Sequence, residues 1–125
     1  MTDPVNVADY FERAAQTVDP QVWCYFEGGS GDEVSLRANA AAYSRWRLRP
    51  RMLVDVSAIS LETTLLGTPV EMPLGIAPFA MQRLLVPEGE CATARAAAAA
   101  GVLMTVSTLT TSSHGEICAA ADGPR

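Results

Sequence analysis

The sequence has 125 residues, 49% of them hydrophobic and 18% charged, which suits one folded domain with a real core and excludes an intrinsically disordered chain. Its net charge of −5 argues against a nucleic-acid partner, since phosphate binding needs a basic face. All 9 basic residues are arginines, and the group Arg45, Arg47, Arg49 and Arg51 could receive an anion but reads first as a solvated or ion-paired segment.

The opening stretch, MTDPVNVADYFERAA, has neither the basic nor the apolar region of a secretory signal, and no run of 18 apolar residues follows. The expected location is therefore cytoplasmic, with no membrane association evident. Asn6 or Asp9 can cap a helix through about Thr17, with Val7, Tyr10, Phe11, Ala14 and Ala15 on one face. Pro20 starts a short second helix, PQVWCYFEG, stopped by Gly28-Gly29. A third follows in SGDEVSLRANAAAYSRW, with acidic residues expected in its first turn. From Arg49 the chain turns extended and proline-punctuated, and TTLLGTPVEMP reads as a hairpin around Gly67.

The texture then changes to alternating strands and helices. Leu74–Ala77 is expected as a short strand buried on both faces, and Pro87–Ala100 as a helix with proline leading, Glu88 and Glu90 in its first turn and Gly101 as its stop. VLMTVS is a second buried strand, and Ser113 to Glu116 fits a capping box that opens a helix through about Ala121. Such β-loop-α-β-loop-α order belongs to a parallel sheet, doubly wound or closed into a barrel, whose ligands sit at the carboxyl ends of the strands. The loops there, PFA and STLTTSS, contain neither a dinucleotide fingerprint nor a P-loop. Pro78-Phe79-Ala80 and Ser107-Thr108 could offer amides, carbonyls and hydroxyls to a flat polar ring system, or they are simply well-made turns. The cysteines, Cys24, Cys91 and Cys118, are odd in number, lack a CxxC and have only His114 for company. They argue against a metal site and are expected as small buried thiols.

Taken in order, YFEGGSGDEVSLRANAAAYSRWRLRPRMLVDVS, PLGIAPFAMQRLLVPEGECATARAAAAAG and VSTLTTSSHGEICAA resemble the N-terminal third of the FMN-dependent α-hydroxy-acid oxidase and dehydrogenase family, which holds glycolate, lactate and mandelate oxidases. The resemblance implies an α/β fold: N-terminal helices plus the first two βα units of a (β/α)8 TIM barrel, incomplete in this chain. Within one FMN-binding domain, 1–48 would be the helical lead-in, 49–73 an extended segment and hairpin, and 74–125 the two βα units. It implies FMN as cofactor, an (S)-2-hydroxy acid as substrate, a 2-oxo acid as product and a homo-oligomer, a tetramer in the family.

Residue by residue, the resemblance places Tyr25 where the family binds the substrate carboxylate through a tyrosine hydroxyl. By itself Tyr25 reads as a helix tyrosine packed beside Trp23 and Phe26. Pro78, Phe79 and Ala80 match the turn whose backbone contacts the flavin, and Ser107 matches a flavin-contacting serine. Leu109 stands where glycolate oxidases carry a tryptophan over the substrate, so with Ala80 it implies a roomier, mandelate-like pocket. Val86 replaces a histidine found in many relatives, and no chemistry is attached to it. His114 reads as a surface residue in the first turn of its helix.

The family's general base, a histidine, and its substrate-clamping arginine have no counterpart in these residues, so no catalytic residue is expected in this chain. Gly123-Pro124-Arg125 falls where a third strand should start. Two alternatives accompany the main reading: a non-catalytic truncated or cleaved fragment that needs the missing C-terminal remainder of the barrel, and a neighbouring FMN barrel enzyme such as an isopentenyl diphosphate isomerase. Tyr25 and RPRMLVDVS count against the latter.

Overall fold

Helix α1 (Val7–Thr17) begins where two side chains hold nearby amides: Asn6 Oδ1 accepts from the Asp9 amide at 3.0 Å, and Asp9 Oδ2 accepts from the Val5 amide at 2.7 Å. These coordinates are a computed structural model, and residues 3–124 are described. Arg125, where a third strand is expected to begin, lies outside them, as do Met1 and Thr2.

The chain divides into two compact units, one ending at Asp55 and the other beginning at Val56. In the first, Asp19 Oδ1 accepts from the amides of Gln21 (2.8 Å) and Val22 (3.3 Å) and Pro20 occupies the first helical position, which fixes the start of α2 (Pro20–Glu27). The Phe11 and Trp23 rings pack α1 on α2, with centroids 4.7 Å apart and planes tilted by 59°. Helix α3 (Val34–Tyr43) is shorter than expected, and its first turn carries no acid. Glu33 instead takes a left-handed conformation (φ 56°) and turns its carboxylate back to accept from the Gly29 amide at 3.1 Å. None of the three helices contains a buried residue.

The second unit opens with the expected hairpin, β1 (Thr63–Leu65) antiparallel to β2 (Thr68–Val70), turned by Leu66 and Gly67, both with positive φ. Strand β3 (Gly75–Ile76) pairs in parallel with β4 (Leu103–Met104), Gly75 opposite Leu103 and Ile76 opposite Met104. The ladder extends by one bond, from the Thr105 amide to the Ile76 carbonyl at 3.0 Å. On the other edge of β4, the Met104 amide donates to the Pro124 carbonyl at 3.0 Å.

The strands are shorter than their apolar runs, and burial on both faces does not hold: Gly75 is exposed while Ile76 and Leu103 are half-buried. Helices α4 (Glu90–Ala99) and α5 (His114–Ala120) supply the core, in which Ala94 and Ala97 meet Val102, Met104 and Ile117. Alanine at both α4 positions lets helix and sheet approach closely. Helix α4 does not start at Pro87; Gly89 (φ 51°) breaks the chain into a turn, and the helix begins one residue later. The capping box forms as expected, with the Ser113 hydroxyl accepting from the Glu116 amide at 3.2 Å and Glu116 Oε2 accepting from the Ser113 amide at 2.7 Å. The cysteines correct their expectation: Cys24 and Cys118 are exposed and Cys91 is only half-buried. Cys24 lies on a helix with no buried face, and Cys118 follows the inward-facing Ile117 on the outer side of α5.

Candidate functional site

Parallel pairing sends residues 77–85, after β3, and 105–113, after β4, out of the same edge of the sheet, which brings the predicted loops together. One direct bond joins them at the main chain, from the Met81 amide to the Leu109 carbonyl at 3.1 Å. A second runs from the Arg83 amide to Thr111 Oγ1, also at 3.1 Å.

Pro78 and Phe79 are exposed and Ala80 is half-buried, so the turn has little side chain of its own above it. Ser107 is half-buried, and its hydroxyl accepts from the Leu109 amide at 3.2 Å, which leaves the hydroxyl proton to donate elsewhere. Leu109 is 65% exposed at the tip of the second loop. Tyr25 belongs to the other unit, on α2, where it is 64% exposed and its ring meets Phe26 edge-on at 5.2 Å. His114 is the exposed first residue of α5.

Beneath the two loops lies a residue whose role sequence reading missed. Glu90, expected as a first-turn acid, is 0% exposed. Its Oε1 accepts from the amides of Gln82 (3.2 Å) and Thr111 (2.9 Å), and its Oε2 from the Ser112 amide (3.1 Å), the Ser112 hydroxyl (2.9 Å) and the Thr111 hydroxyl (2.8 Å). Burial pushes this carboxyl's pKa up, but the Thr111 amide, its own amide and the two hydroxyls outweigh burial and hold it at about 2. Its helix-terminal position adds a favourable dipole.

Gln82, also buried, extends the brace: Nε2 donates to the Phe79 carbonyl at 3.1 Å, and Oε1 accepts from Thr93 Oγ1 at 2.6 Å. Gly89 is the hinge that separates Glu90 from Glu88, whose carboxylate pairs with Arg95 at the surface. A Cβ at Gly89 would come within 2.7 Å of Arg83 Cγ. The signal for this cage was present as an acid opposite a run of four hydroxyl residues, Thr110 to Ser113.

Comparison with known proteins gives this arrangement its family. A family model described as FMN-dependent dehydrogenase matches residues 14–125. The chain belongs to the FMN-dependent dehydrogenase family. It is 47% identical over 120 residues to glycolate oxidase 3 of Oryza sativa subsp. indica, covering 96% of this chain and 33% of that one. To the L-lactate oxidase of Nostoc sp. it is 47% identical over 117 residues, covering 94% and 32%. Among solved structures, a mandelate oxidase superposes with a TM-score of 0.90 at 40% identity, covering 98% of this chain and 36% of that one. A soluble mutant of the membrane-associated (S)-mandelate dehydrogenase of Pseudomonas putida gives 0.89 at 37% identity, covering 97% and 35%. The chain spans about a third of the length of these relatives.

FMN is the cofactor of this family, and the loops fit its ring end. Their donors and acceptors at 78–80 and 107–109 are neutral main-chain groups and one hydroxyl, suited to the edge of an uncharged polar ring. They offer nothing comparable to a phosphate: Arg83, the one cationic side chain on them, pairs with Glu116 at 3.2 Å.

Proposed function

We propose that this chain is part of an FMN-dependent oxidoreductase that converts an (S)-2-hydroxy acid, mandelate-like in bulk, to the 2-oxo acid, and that it forms the first two βα units of a TIM barrel. The observation that carries the reading is the neutral loop pair at the carboxyl ends of two parallel strands, tied by the Met81–Leu109 bond. Bound FMN supplies the acceptor for the two electrons that leave the substrate.

The chain's own residues bind and orient. The main chain of Pro78, Phe79 and Ala80 meets the flavin edge, with the Ser107 hydroxyl donating beside it. By its likeness to the family, Tyr25 is assigned the substrate carboxylate, to which its hydroxyl would donate. Leu109 and Ala80 shape the side-chain pocket, where the absence of a large ring leaves room for a bulky substituent. The proton leaving the substrate needs a base that these residues do not contain: the sequence has 1 histidine, His114, and it stands at the start of α5.

The test is optical. Full-length protein is expected to purify yellow or to become yellow on reconstitution with FMN, and a 2-hydroxy acid should bleach the flavin band under anaerobic conditions. A folded full-length preparation that takes up no FMN would overturn the assignment.

A further inference from the structure

We infer that Glu90 is a positioning residue for the flavin-facing loops: its buried carboxylate, caged by donors from both of them, fixes the Phe79 carbonyl against the Ser107–Leu109 turn. This rests on the proposed role of Pro78–Ala80 and Ser107, and deepens it.

Three features separate this carboxylate from an ordinary helix cap. Its partners are distant in sequence, reaching 8 residues back to Gln82 and 21 and 22 residues forward to Thr111 and Ser112. The partners are N–H and O–H donors rather than cations, and the two arginines that flank Glu90 in sequence, Arg83 and Arg95, direct their guanidiniums to Glu116 and Glu88. The charge is therefore compensated by fixed directional bonds, which constrain geometry more tightly than a mobile counter-ion would. Finally, the brace passes to the loop tip: Gln82 donates from its carboxamide nitrogen to the Phe79 carbonyl and accepts at its carboxamide oxygen from Thr93.

Between the brace and the tip lies Met81, a non-glycine residue at φ 55°. Such a conformation persists only where its surroundings over-determine it. Here the Met81 amide is held by the Leu109 carbonyl and the next amide, that of Gln82, by Glu90 Oε1. Releasing Glu90 frees the residue that sets the direction in which Pro78–Ala80 face.

The test uses the full-length FMN-loaded protein and three variants. Glu90→Gln keeps the shape but puts an amide donor among donors, and it is expected to weaken FMN binding by roughly tenfold or more and to shift the bound flavin's visible absorption. Gln82→Met cuts the link to the Phe79 carbonyl while keeping the main-chain bond to Glu90, and a smaller loss of about threefold to tenfold is expected. Ile117→Val lowers stability through the core away from the loops, and its FMN affinity should stay within about twofold of wild type. FMN affinity and spectrum like those of wild type in whichever of Glu90→Gln and Gln82→Met folds would overturn the inference and leave the flavoenzyme reading intact. The same loss of affinity in Ile117→Val at matched thermal stability would also overturn it, by showing that any destabilisation suffices. Failure of the wild type to bind FMN overturns both.

Discussion

A leucine at position 109 is 65% exposed at the tip of the second loop, with its main chain held at both ends by Ser107 and Met81. The side chain can therefore be exchanged without undoing the loop. On the proposed reading, wild type should turn over mandelate better than glycolate, and Leu109→Trp should move the ratio of kcat/KM toward glycolate by about tenfold. Steady-state kinetics on both acids checks this, and glycolate as the better wild-type substrate would defeat it. Glu90 gives a second prediction at this scale. Its pKa falls from 4.5 to about 2 on folding, so its contribution to stability is complete above pH 4.5 and disappears as pH drops toward 2. Thermal unfolding across that window should show wild type and Glu90→Gln converging as the solution is acidified, and a constant gap would contradict the ionised cage. The side chains that could be read from sequence were those whose pattern is local, such as Ser113 with Glu116. Glu90 does stand in the first turn of its helix as expected, but its burial was not legible, because nothing local reveals that donors more than 20 residues away will close over it.

Among the elements, those with complete local signals appear as expected. Asn6 and Ser113 each cap a helix, Pro20 leads the second one, and the turn at Leu66-Gly67 sets the hairpin register. The misjudged boundaries are at Glu33 and Gly89, both with positive φ, where the backbone spends a residue on a sharp turn before the helix starts. Pro87 and Glu88 looked like a helix start because proline and acid both favour one, but Gly89 places them in the preceding turn. The strands were overestimated for a different reason: the apolar runs are long, yet the described ladder has one partner for each strand. For α5 the capping box carries a prediction. Ser113→Ala removes the bond to the Glu116 amide and loosens the reciprocal one, and it should cost about 1 kcal/mol of stability. Hydrogen bonds from Ser113 and the Arg83 contact hold the Glu116 carboxyl below its usual range, so this loss should shrink in acid. Chemical denaturation of wild type and Ser113→Ala at neutral and acidic pH measures both, and equal stabilities at neutral pH would show that the cap contributes nothing.

At the scale of the whole molecule, the expected result is that residues 1–125 expressed alone have no oxidase activity. The first reason is chemical. Proton abstraction needs a positioned base, worth on the order of 10²–10⁴ in rate, and the single imidazole, His114, is exposed at the start of α5 rather than on the loops after the strands. Tyr25 carries a hydroxyl that can donate to a carboxylate, which is a binding role and not that of a base. The second reason is architectural. Closing a (β/α)8 barrel takes roughly 250 residues, and the parallel sheet described here has two strands, β3 and β4. Next to β4 the Pro124 carbonyl already accepts from Met104, as a neighbouring strand would, while Leu66, Leu103 and Val106 line an open cleft of about 470 Å³. In the first unit Tyr43, Trp46 and Leu48 are 83%, 81% and 99% exposed. Surfaces of that kind are covered by further structure in a stable protein or lead to association. The isolated chain should therefore aggregate or remain partly ordered, and should bind FMN weakly, because the one cationic side chain on its two loops, Arg83, is already paired with Glu116. A turnover assay with excess FMN on a chain verified by intact mass decides the matter. Substrate-dependent formation of a 2-oxo acid there would mean that a base sits among these residues in a form other than His114, and would return the proposed division of labour between this chain and the rest of a barrel to question.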